Sequence, residues 1–206
     1  ATMPDRVEPP MLDPAWSGMT RWNALFWGNG VENVKIGGRG MIDLSKLDWH
    51  GRSAIMFDSC KNIEVEGITL NNSPEWTLYF MYSENITVRD IMLFGYRQNS
   101  DGICIVDGAN VLVENCFARS GDDLFEVKSM NGSCNIPIRN IVFRRCNGWP
   151  DKARGMGIIY ESVRDMTDIH FEECSIGFAS ATWQDELGSV VVILGGTAKV
   201  TDVTFE

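Results

Sequence analysis

Three aspartates in the middle of the chain have the types and spacing that catalysis would need. Asp101 precedes the apolar run 103–106, and the adjacent Asp122 and Asp123 precede the next run, 124–127. If these runs are neighbouring rungs of one stacked sheet, the three carboxylates converge on one patch of surface. Crowded acids resist ionising together, which yields a proton donor beside ionised carboxylates. That combination suits hydrolysis of a glycosidic bond.

The alternative reading is that aspartate next to glycine only makes turns, which is its commoner use. Stacking on adjacent coils favours the catalytic reading, because like charges are then brought together at an electrostatic cost. The position of the acids therefore depends on whether the chain forms stacked coils.

A repeat supports such coils. The pattern is Asn or Asp, a β-branched residue, any residue, and an apolar residue. It occurs seven times, starting at Asn33, Asn62, Asn85, Asn110, Asn140, Asp168 and Asp202. Successive offsets of 29, 23, 25, 30, 28 and 34 residues are typical of a solenoid whose loops differ in length.

Two further columns accompany the repeat. A core ladder is predicted six residues after each motif start, at Ile68, Ile91, Cys116, Cys146 and Cys174. A second strand is predicted upstream of each motif, at 24–27, 54–57, 77–81, 102–106, 124–128, 157–161 and 190–193. Alternation points Ile55, Leu78, Ile103, Phe125 and Ile158 inward, and Met56, Tyr79, Cys104, Glu126 and Ile159 outward. The outward face is the expected binding surface.

These features predict an all-β fold, a right-handed parallel β-helix of about seven coils. An antiparallel sandwich is the rival, but it would not repeat one motif in register. A single domain is expected, with an irregular segment at 1–21 and coils over 22–206. The last motif runs to the end of the sequence without a cap, so the chain is expected to be truncated or capped by its proline-rich first twenty residues.

In the predicted register, position 123 lies over position 101 and under position 156. The column entering the upstream strand then reads 73–76, 99–101, 121–123 and 154–156. This column is the predicted site.

Composition excludes several other functions. The charge is −10 and the pI about 4.7, so neither nucleic acid nor an anionic membrane surface is an expected partner. No apolar run reaches the ~18 residues of a membrane span. Two histidines are too few for a histidine-based triad or a zinc site. The six cysteines contain no C-x-x-C pair, and mostly reduced thiols are expected, with one disulfide involving Cys134 left open.

Several motifs resemble the polygalacturonase-like glycoside hydrolases of family 28 and their wider β-helix clan. N-S-D-G at 99–102 is similar to the family's N-T-D-G, and S-G-D-D at 120–123 is identical to its S-G-D-D. The resemblance covers about residues 30 to 130. It extends to G-R-G-M-I-D at 38–43, R-S-A-I-M-F at 52–57, N-S-P-E-W-T-L at 72–78 and Y-S-E-N-I-T-V at 82–88.

The resemblance implies inverting hydrolysis of pectic polymers by a secreted or periplasmic enzyme, with no metal or other cofactor. It implies that Asp122 is the general acid, that Asp101 and Asp123 activate water, and that Asn99 supports them. The family's G-H-G corresponds to Gly155-Met156-Gly157, and its R-I-K is not found at 177–180. Candidate substrate-binding residues are therefore Asn99, Lys128, Lys152, Arg154, Trp76 and Met156.

Three alternatives remain open. A related dextranase-like enzyme would cut a neutral glycan, which could stack on Trp149, Trp183 or Trp76. A noncatalytic β-helix would bind carbohydrate and use the acids only in turns. Lyase chemistry with calcium is a smaller alternative, since three carboxylates can hold a hard cation.

Overall fold

The computed structural model describes residues 24–48, 52–177 and 188–206. These ranges contain twenty β-strands and no helix. In chain order the strands are β1 (Ala24–Asn29), β2 (Glu32–Gly37), β3 (Met41–Asp43), β4 (Ser53–Asp58), β5 (Lys61–Glu66), β6 (Thr69–Asn71), β7 (Leu78–Met81), β8 (Glu84–Arg89), β9 (Met92–Phe94), β10 (Ile103–Val106), β11 (Ala109–Glu114), β12 (Phe117–Ser120), β13 (Phe125–Ser129), β14 (Arg139–Arg144), β15 (Asn147–Pro150), β16 (Met156–Ser162), β17 (Met166–Glu172), β18 (Ser175–Ile176), β19 (Val190–Leu194) and β20 (Val200–Phe205).

The strands form three parallel sheets, and each complete coil gives one strand to each sheet. Sheet A has the order β1-β4-β7-β10-β13-β16-β19, sheet B the order β2-β5-β8-β11-β14-β17-β20, and sheet C the order β18-β15-β12-β9-β6-β3. Every pairing between these strands is parallel, which excludes the antiparallel sandwich. The predicted right-handed parallel β-helix is confirmed.

Sheet B is the predicted repeat. Its seven motif copies lie in register, so that Val111 pairs with Ile86 on one side and Ile141 on the other. The apolar residue two positions after Val111 and its equivalents also stacks from coil to coil. In the last three coils this residue is Phe143, Phe171 or Phe205, and neighbouring ring centroids are 4.9 Å apart. Stacking of like apolar side chains buries the face that a lone coil could not hide.

The first residue of each motif has a separate role. Asn33, Asn62, Asn85, Asn110 and Asn140 have φ between 54° and 59°, a left-handed conformation that asparagine tolerates better than most residues. Their side-chain amides form a ladder in which, from Asn62 onward, each Nδ2 donates to the side-chain oxygen of the preceding asparagine at 2.9–3.0 Å. We call these five residues the asparagine ladder. Its hydrogen bonds link successive coils on the solvent side of sheet B.

Sheet C was not predicted. Its strands directly follow the predicted Ile/Cys ladder, which is confirmed as core: Ile68, Ile91, Cys116 and Cys146 are buried, and Cys174 packs against the same cluster. Six free thiols are present, including Cys134. Strands of two to four residues give too short an alternation to be recognised beside the longer strands of sheets A and B.

The predicted inward residues of sheet A all lie in the main core: Ile55, Leu78, Ile103, Phe125 and Ile158. The register of the β16 coil was predicted wrongly, because Phe125 pairs with Met156 and not with Ile158, a difference of two residues. Glu126 accordingly pairs with Gly157 and not with Ile159. A register shift between Val127 and Ser129 lets β16 carry extra residues opposite Lys128.

The predicted irregular segment 1–21 lies outside the described residues, as do the first two residues of the predicted coil range. No α-helix with the length and apolarity needed to cross a bilayer occurs in the described ranges.

Candidate active site

The turn from sheet C into sheet A holds the aspartates. Backbone hydrogen bonds run from Gly102 N–H to the carbonyl of Asp123 (2.8 Å) and from Leu124 N–H to the carbonyl of Arg154 (3.1 Å). Asp101, Asp123 and Arg154 therefore stack on successive coils. Placing position 123 over position 101 is right, whereas position 154, and not 156, follows in the column.

Two glycines of the motifs explain how the coils approach so closely here. A Cβ on Gly102 would lie 2.3 Å from the carbonyl oxygen of Leu124, and a Cβ on Gly121 would lie 2.2 Å from that of Arg97. Both distances are far inside van der Waals contact. The glycines of N-S-D-G and S-G-D-D thus allow backbone-to-backbone packing immediately beside the acids.

The three carboxylates converge as predicted. Asp101, Asp122 and Asp123 are buried, and each offers a carboxylate oxygen within 4.8 Å of the others. Asp122 accepts the backbone N–H of Asn99 (3.1 Å) at one oxygen and that of Asp123 (3.0 Å) at the other. The predicted support from Asn99 thus comes from its backbone, which has a φ of 60°.

Asp123 and Asp101 have different surroundings. Asp123 Oδ1 accepts the backbone N–H of Arg154 (3.0 Å) and its guanidinium (3.5 Å), and Oδ2 lies 3.9 Å from Lys128 Nζ. These neighbours fit an ionised carboxylate. Asp101 Oδ1 is buried and makes no hydrogen bond within the described part of the chain. An oxygen of that kind is ready to bind water or a sugar hydroxyl.

Burial and mutual repulsion keep protons on this cluster. Burial, and then the charge of Asp123, raises the pKa of Asp122 to about 6. Burial and then Asp122 and Glu126 raise the pKa of Asp101 well above its usual range. Interacting acids of this kind titrate as a group. Burial and repulsion between the carboxylates therefore favour a proton held by the cluster, and the resemblance assigns that proton to Asp122.

A second charged group lies on the outward face of sheet A. The sequence predicted a functional role for one of its members, Lys128, but not for Glu126 or Glu161. Glu126 and Lys128 are buried, with Lys128 Nζ 3.0 Å from Glu126 Oε2 and 2.9 Å from Glu161 Oε2. The Lys128 ammonium also lies 5.2 Å from the centre of the Trp76 ring. The sequence did carry a signal for this group, namely two charged residues at alternate positions of an otherwise apolar strand.

Three predicted substrate contacts need correction. Met156 packs in the main core beside Phe125, because the register differs by two residues. Trp76 is 2% exposed and packs edge-to-face on Tyr79, so its ring does not offer an open face to a sugar. Lys128 is 4% exposed and its ammonium is paired with Glu126 and Glu161, so its charge is already balanced within the protein.

The remaining candidates lie in different places. Arg154 is buried against Asp123, and Lys152 is exposed in the turn before it. Trp149 is 41% exposed on sheet C, where the Arg119 guanidinium lies 5.6 Å from its ring centre. Trp183 and the positions 178–180 of the missing R-I-K lie outside the described residues.

Three clusters in the described ranges bring together donor atoms of the kind that can hold a cation. The first is the aspartate trio, whose oxygens suit a hard cation such as calcium. The second is Asp101, Cys104 and Glu126, which shares Asp101 with the trio. The third is Asp168, His170 and Asp202 on sheet B, where His170 hydrogen-bonds to Asp168 (2.9 Å) and to Thr204 (2.8 Å). His170 faces outward as predicted, while His50 lies outside the described residues.

The described residues form a parallel β-helix with a cluster of acids on one face. The sequence profile of Glycosyl hydrolases family 28 matches residues 15–206, and the chain belongs to that family. The resemblance predicted from the motifs is confirmed.

Named relatives agree with this assignment. The chain is 24% identical over 93% of its length to a probable polygalacturonase of Arabidopsis thaliana, and 27% identical over 69% to a probable exopolygalacturonase B of Aspergillus flavus. It spans 47% and 37% of those proteins, respectively. In fold it is similar to the crystal structure of a hyperthermoactive exopolygalacturonase from Thermotoga maritima, with a TM-score of 0.50 and 24% identity over 61% of this chain and 31% of that one.

Proposed function

We propose that the protein hydrolyses glycosidic bonds of a pectic polysaccharide, with Asp101, Asp122 and Asp123 as its catalytic acids. The observation that supports this most directly is the convergence of three buried carboxylates within 4.8 Å on one face of the β-helix. Such crowding has an electrostatic cost and no evident structural benefit. Family membership and the names of the relatives support the same reaction.

In the proposed mechanism Asp122 donates its proton to the glycosidic oxygen as the bond from that oxygen to the anomeric carbon breaks. A water held by Asp101 and Asp123 attacks the anomeric carbon, and its proton passes to one of those two carboxylates. The raised pKa of Asp122, about 6, keeps the acid protonated in mildly acidic solution. Arg154 and Lys128 beside Asp123 favour an ionised partner for the water.

The stereochemical outcome needs its own test. Inverting glycosidases usually separate their two carboxyl groups by about 6.5–9.5 Å, and retaining ones by about 5–5.5 Å. The oxygens here approach within 4.8 Å, so spacing alone would favour retention. Three acids nevertheless allow two of them to hold one water while the third protonates the sugar, and we propose inversion on that basis together with the resemblance.

A neutral glycan is the second candidate, because the site is acidic. Lys128 is held by Glu126 and Glu161, so its charge is already balanced before an anionic polymer arrives. Arg154 lies beside Asp123 and could meet a uronate carboxylate, which keeps the pectic substrate the first choice. Both polymers lie outside the cell that digests them, so the proposal implies a secreted or periplasmic enzyme.

The test is a reducing-end assay on polygalacturonate, rhamnogalacturonan, dextran and galactan, run with and without chelator. Cleavage of polygalacturonate supports the first proposal, and cleavage of dextran or galactan alone supports the second. Proton NMR of the fresh product then reads the anomer, which is expected to be inverted. Binding on a glycan array without cleavage of any polymer would refute catalysis, and activity lost to chelator would favour calcium-dependent chemistry.

A further inference from the structure

Neither Glu126 nor Lys128 transfers a proton or contacts the sugar in the proposed mechanism, yet the pair is one of the most deeply buried charged groups in the described part of the chain. Their side chains are 0% and 5% exposed, and their charges lie 3.0 Å apart. Apolar residues of similar size would often stabilise such a position at least as well as a buried ion pair does. Stability alone is therefore a weak explanation for the pair.

The pair contacts the aspartates through both of its members. Lys128 Nζ lies 3.9 Å from Asp123 Oδ2. A Glu126 oxygen lies within 4.8 Å of an Asp101 oxygen and of the Cys104 sulfur. The strand alternation places both side chains on the outward face of β13, directly after the turn that holds the catalytic acids.

The groups that face the pair can be named from every neighbouring element. Glu161 on β16 binds the ammonium at 2.9 Å, and Trp76 lies beneath it. On the side of β10 the neighbours are Asp101 and the Cys104 thiol, and on the side of the preceding turn they are Asp122 and Asp123, the latter also bound by Arg154. In this set Lys128 and Arg154 are the cations and five carboxyl groups oppose them.

Burial would lower the pKa of Lys128, but Glu126, Glu161 and the aspartates raise it well above its usual range, so the ammonium keeps its charge. Burial raises the pKa of Glu126 to about 7, against the attraction of Lys128. Lys128 lowers, and Glu126 raises, the affinity of Asp101 for a proton. The two members of the pair thus act on the trio in opposite directions.

We propose that Lys128 and Glu126 are positioning residues of opposite sign, which together set the pH range in which the aspartate trio holds the proton needed for hydrolysis. Neither residue needs to touch the sugar. The proposal rests on the proposed function, since the trio's proton matters through the cleavage that it catalyses.

The test compares Lys128→Met with Glu126→Gln in pH profiles of kcat/KM on the polymer that the wild type cuts. Losing the cation is expected to move both limbs of the profile to higher pH by about one unit. Losing the carboxylate is expected to move the alkaline limb to lower pH by a smaller amount, because Glu126 is itself partly protonated there. Loosened packing would not move the two profiles in opposite directions.

Lys61→Met is the matched control. Lys61 pairs with Glu84 at 3.2 Å on the solvent-exposed face of sheet B. Loss of the Lys61 charge is expected to leave the pH profile of kcat/KM unchanged. Lys128→Met leaves two glutamates without their cation, so the double variant Lys128→Met/Glu126→Gln is measured as well. If Lys128→Met does not fold, the double variant is compared with Glu126→Gln. The alkaline limb of the double variant is expected at a higher pH than that of Glu126→Gln, shifted back towards the wild-type position or beyond it.

Several results would overturn the proposal. These are profiles that coincide with the wild type, shifts of both single variants in one direction, or a double variant that matches Glu126→Gln. If the wild type cuts no polymer, the proposed function fails on its own, and ¹³C NMR titration of the aspartate carboxyls then decides between opposite shifts and none.

Discussion

Two columns of polar side chains stack along this β-helix, and their chemistry is opposite. In the asparagine ladder on sheet B, the three inner amides both donate and accept, and neighbouring side chains meet at 2.9–3.0 Å. In the column before sheet A, Asp101 and the Asp122–Asp123 pair bring carboxylates within 4.8 Å. Ionised carboxylates have no proton to share, so this column repels itself where the ladder bonds to itself.

The same stacking device therefore serves two purposes. A column whose hydrogen bonds are complete, and which lies at the surface, stabilises the solenoid. A buried column that leaves Asp101 Oδ1 without a hydrogen bond lowers stability, and such cost is typical of residues kept for chemistry. A substitution in the aspartate column should accordingly lower turnover without lowering stability, and a substitution in the asparagine ladder should lower stability without changing turnover.

The largest effect is expected for Asp122→Asn. The amide cannot donate the acid's proton, so kcat should fall by about 10²–10⁴-fold. Because one of the crowded carboxylates is removed, the melting temperature should stay the same or rise. Initial rates in the reducing-end assay and a thermal melt measure the two outcomes.

Asp90→Asn is the matched control for that variant. Asp90 is exposed, has a φ of 55° that asparagine tolerates, and lies at the end of sheet B, away from the trio. Its turnover should equal that of the wild type. Full activity of Asp122→Asn would show that Asp122 is not the acid.

A second prediction concerns stability against pH. The pKa of Asp122 is raised in the folded protein to about 6, so the native state binds more protons than the unfolded chain between the two pKa values. Stability from this group is therefore present at low pH and is lost as pH rises through about 4 to 6. At about 1.4 kcal/mol per unit, the loss is about 3 kcal/mol, and Asp101 and Glu126 act in the same direction.

The measurement is the melting temperature at about pH 5 and about pH 8, with the lower value expected at the higher pH. Asp122→Asn and Glu126→Gln should each flatten that dependence. A wild-type melting temperature that rises over this range would contradict the buried, proton-holding cluster.

The motif repeat was enough to predict the β-helix and the alignment of Asp101 with Asp123. Every copy from Asn33 to Asp202 lies in sheet B as expected, because burial of stacked apolar residues leaves little freedom in register. The glycines of N-S-D-G and S-G-D-D also fit this alignment, because a Cβ at either position would clash with the backbone of a neighbouring coil.

The features that could not be predicted from the sequence depend on loop length and on contacts between residues that are distant in the chain. The shift at β13 and β16 moved Met156 into the core, and no local pattern distinguishes a register that differs by two residues, since alternation is preserved. Trp76 and Lys128 were predicted to face a substrate, but these two residues from different coils lie against each other, 5.2 Å from ammonium to ring centre. Lys128 also pairs with Glu161 of the following coil. Residues distant in the chain decide whether an outward side chain is exposed.

The smallest expected effect tests the other column, through Asn110→Ala. This change removes the donor to Asn85 and the acceptor from Asn140, and places alanine at a φ of 57°. The free energy of unfolding should fall by about 2 kcal/mol, which corresponds to a fall in melting temperature of about 4–8 °C. Turnover per folded molecule should not change. Asn110→Gly is the control, because glycine tolerates the backbone conformation but also loses the amide, so the difference between the two variants isolates backbone strain from hydrogen bonding. An unchanged melting temperature in both variants would mean that the ladder follows from the stacking of the coils and does not stabilise it.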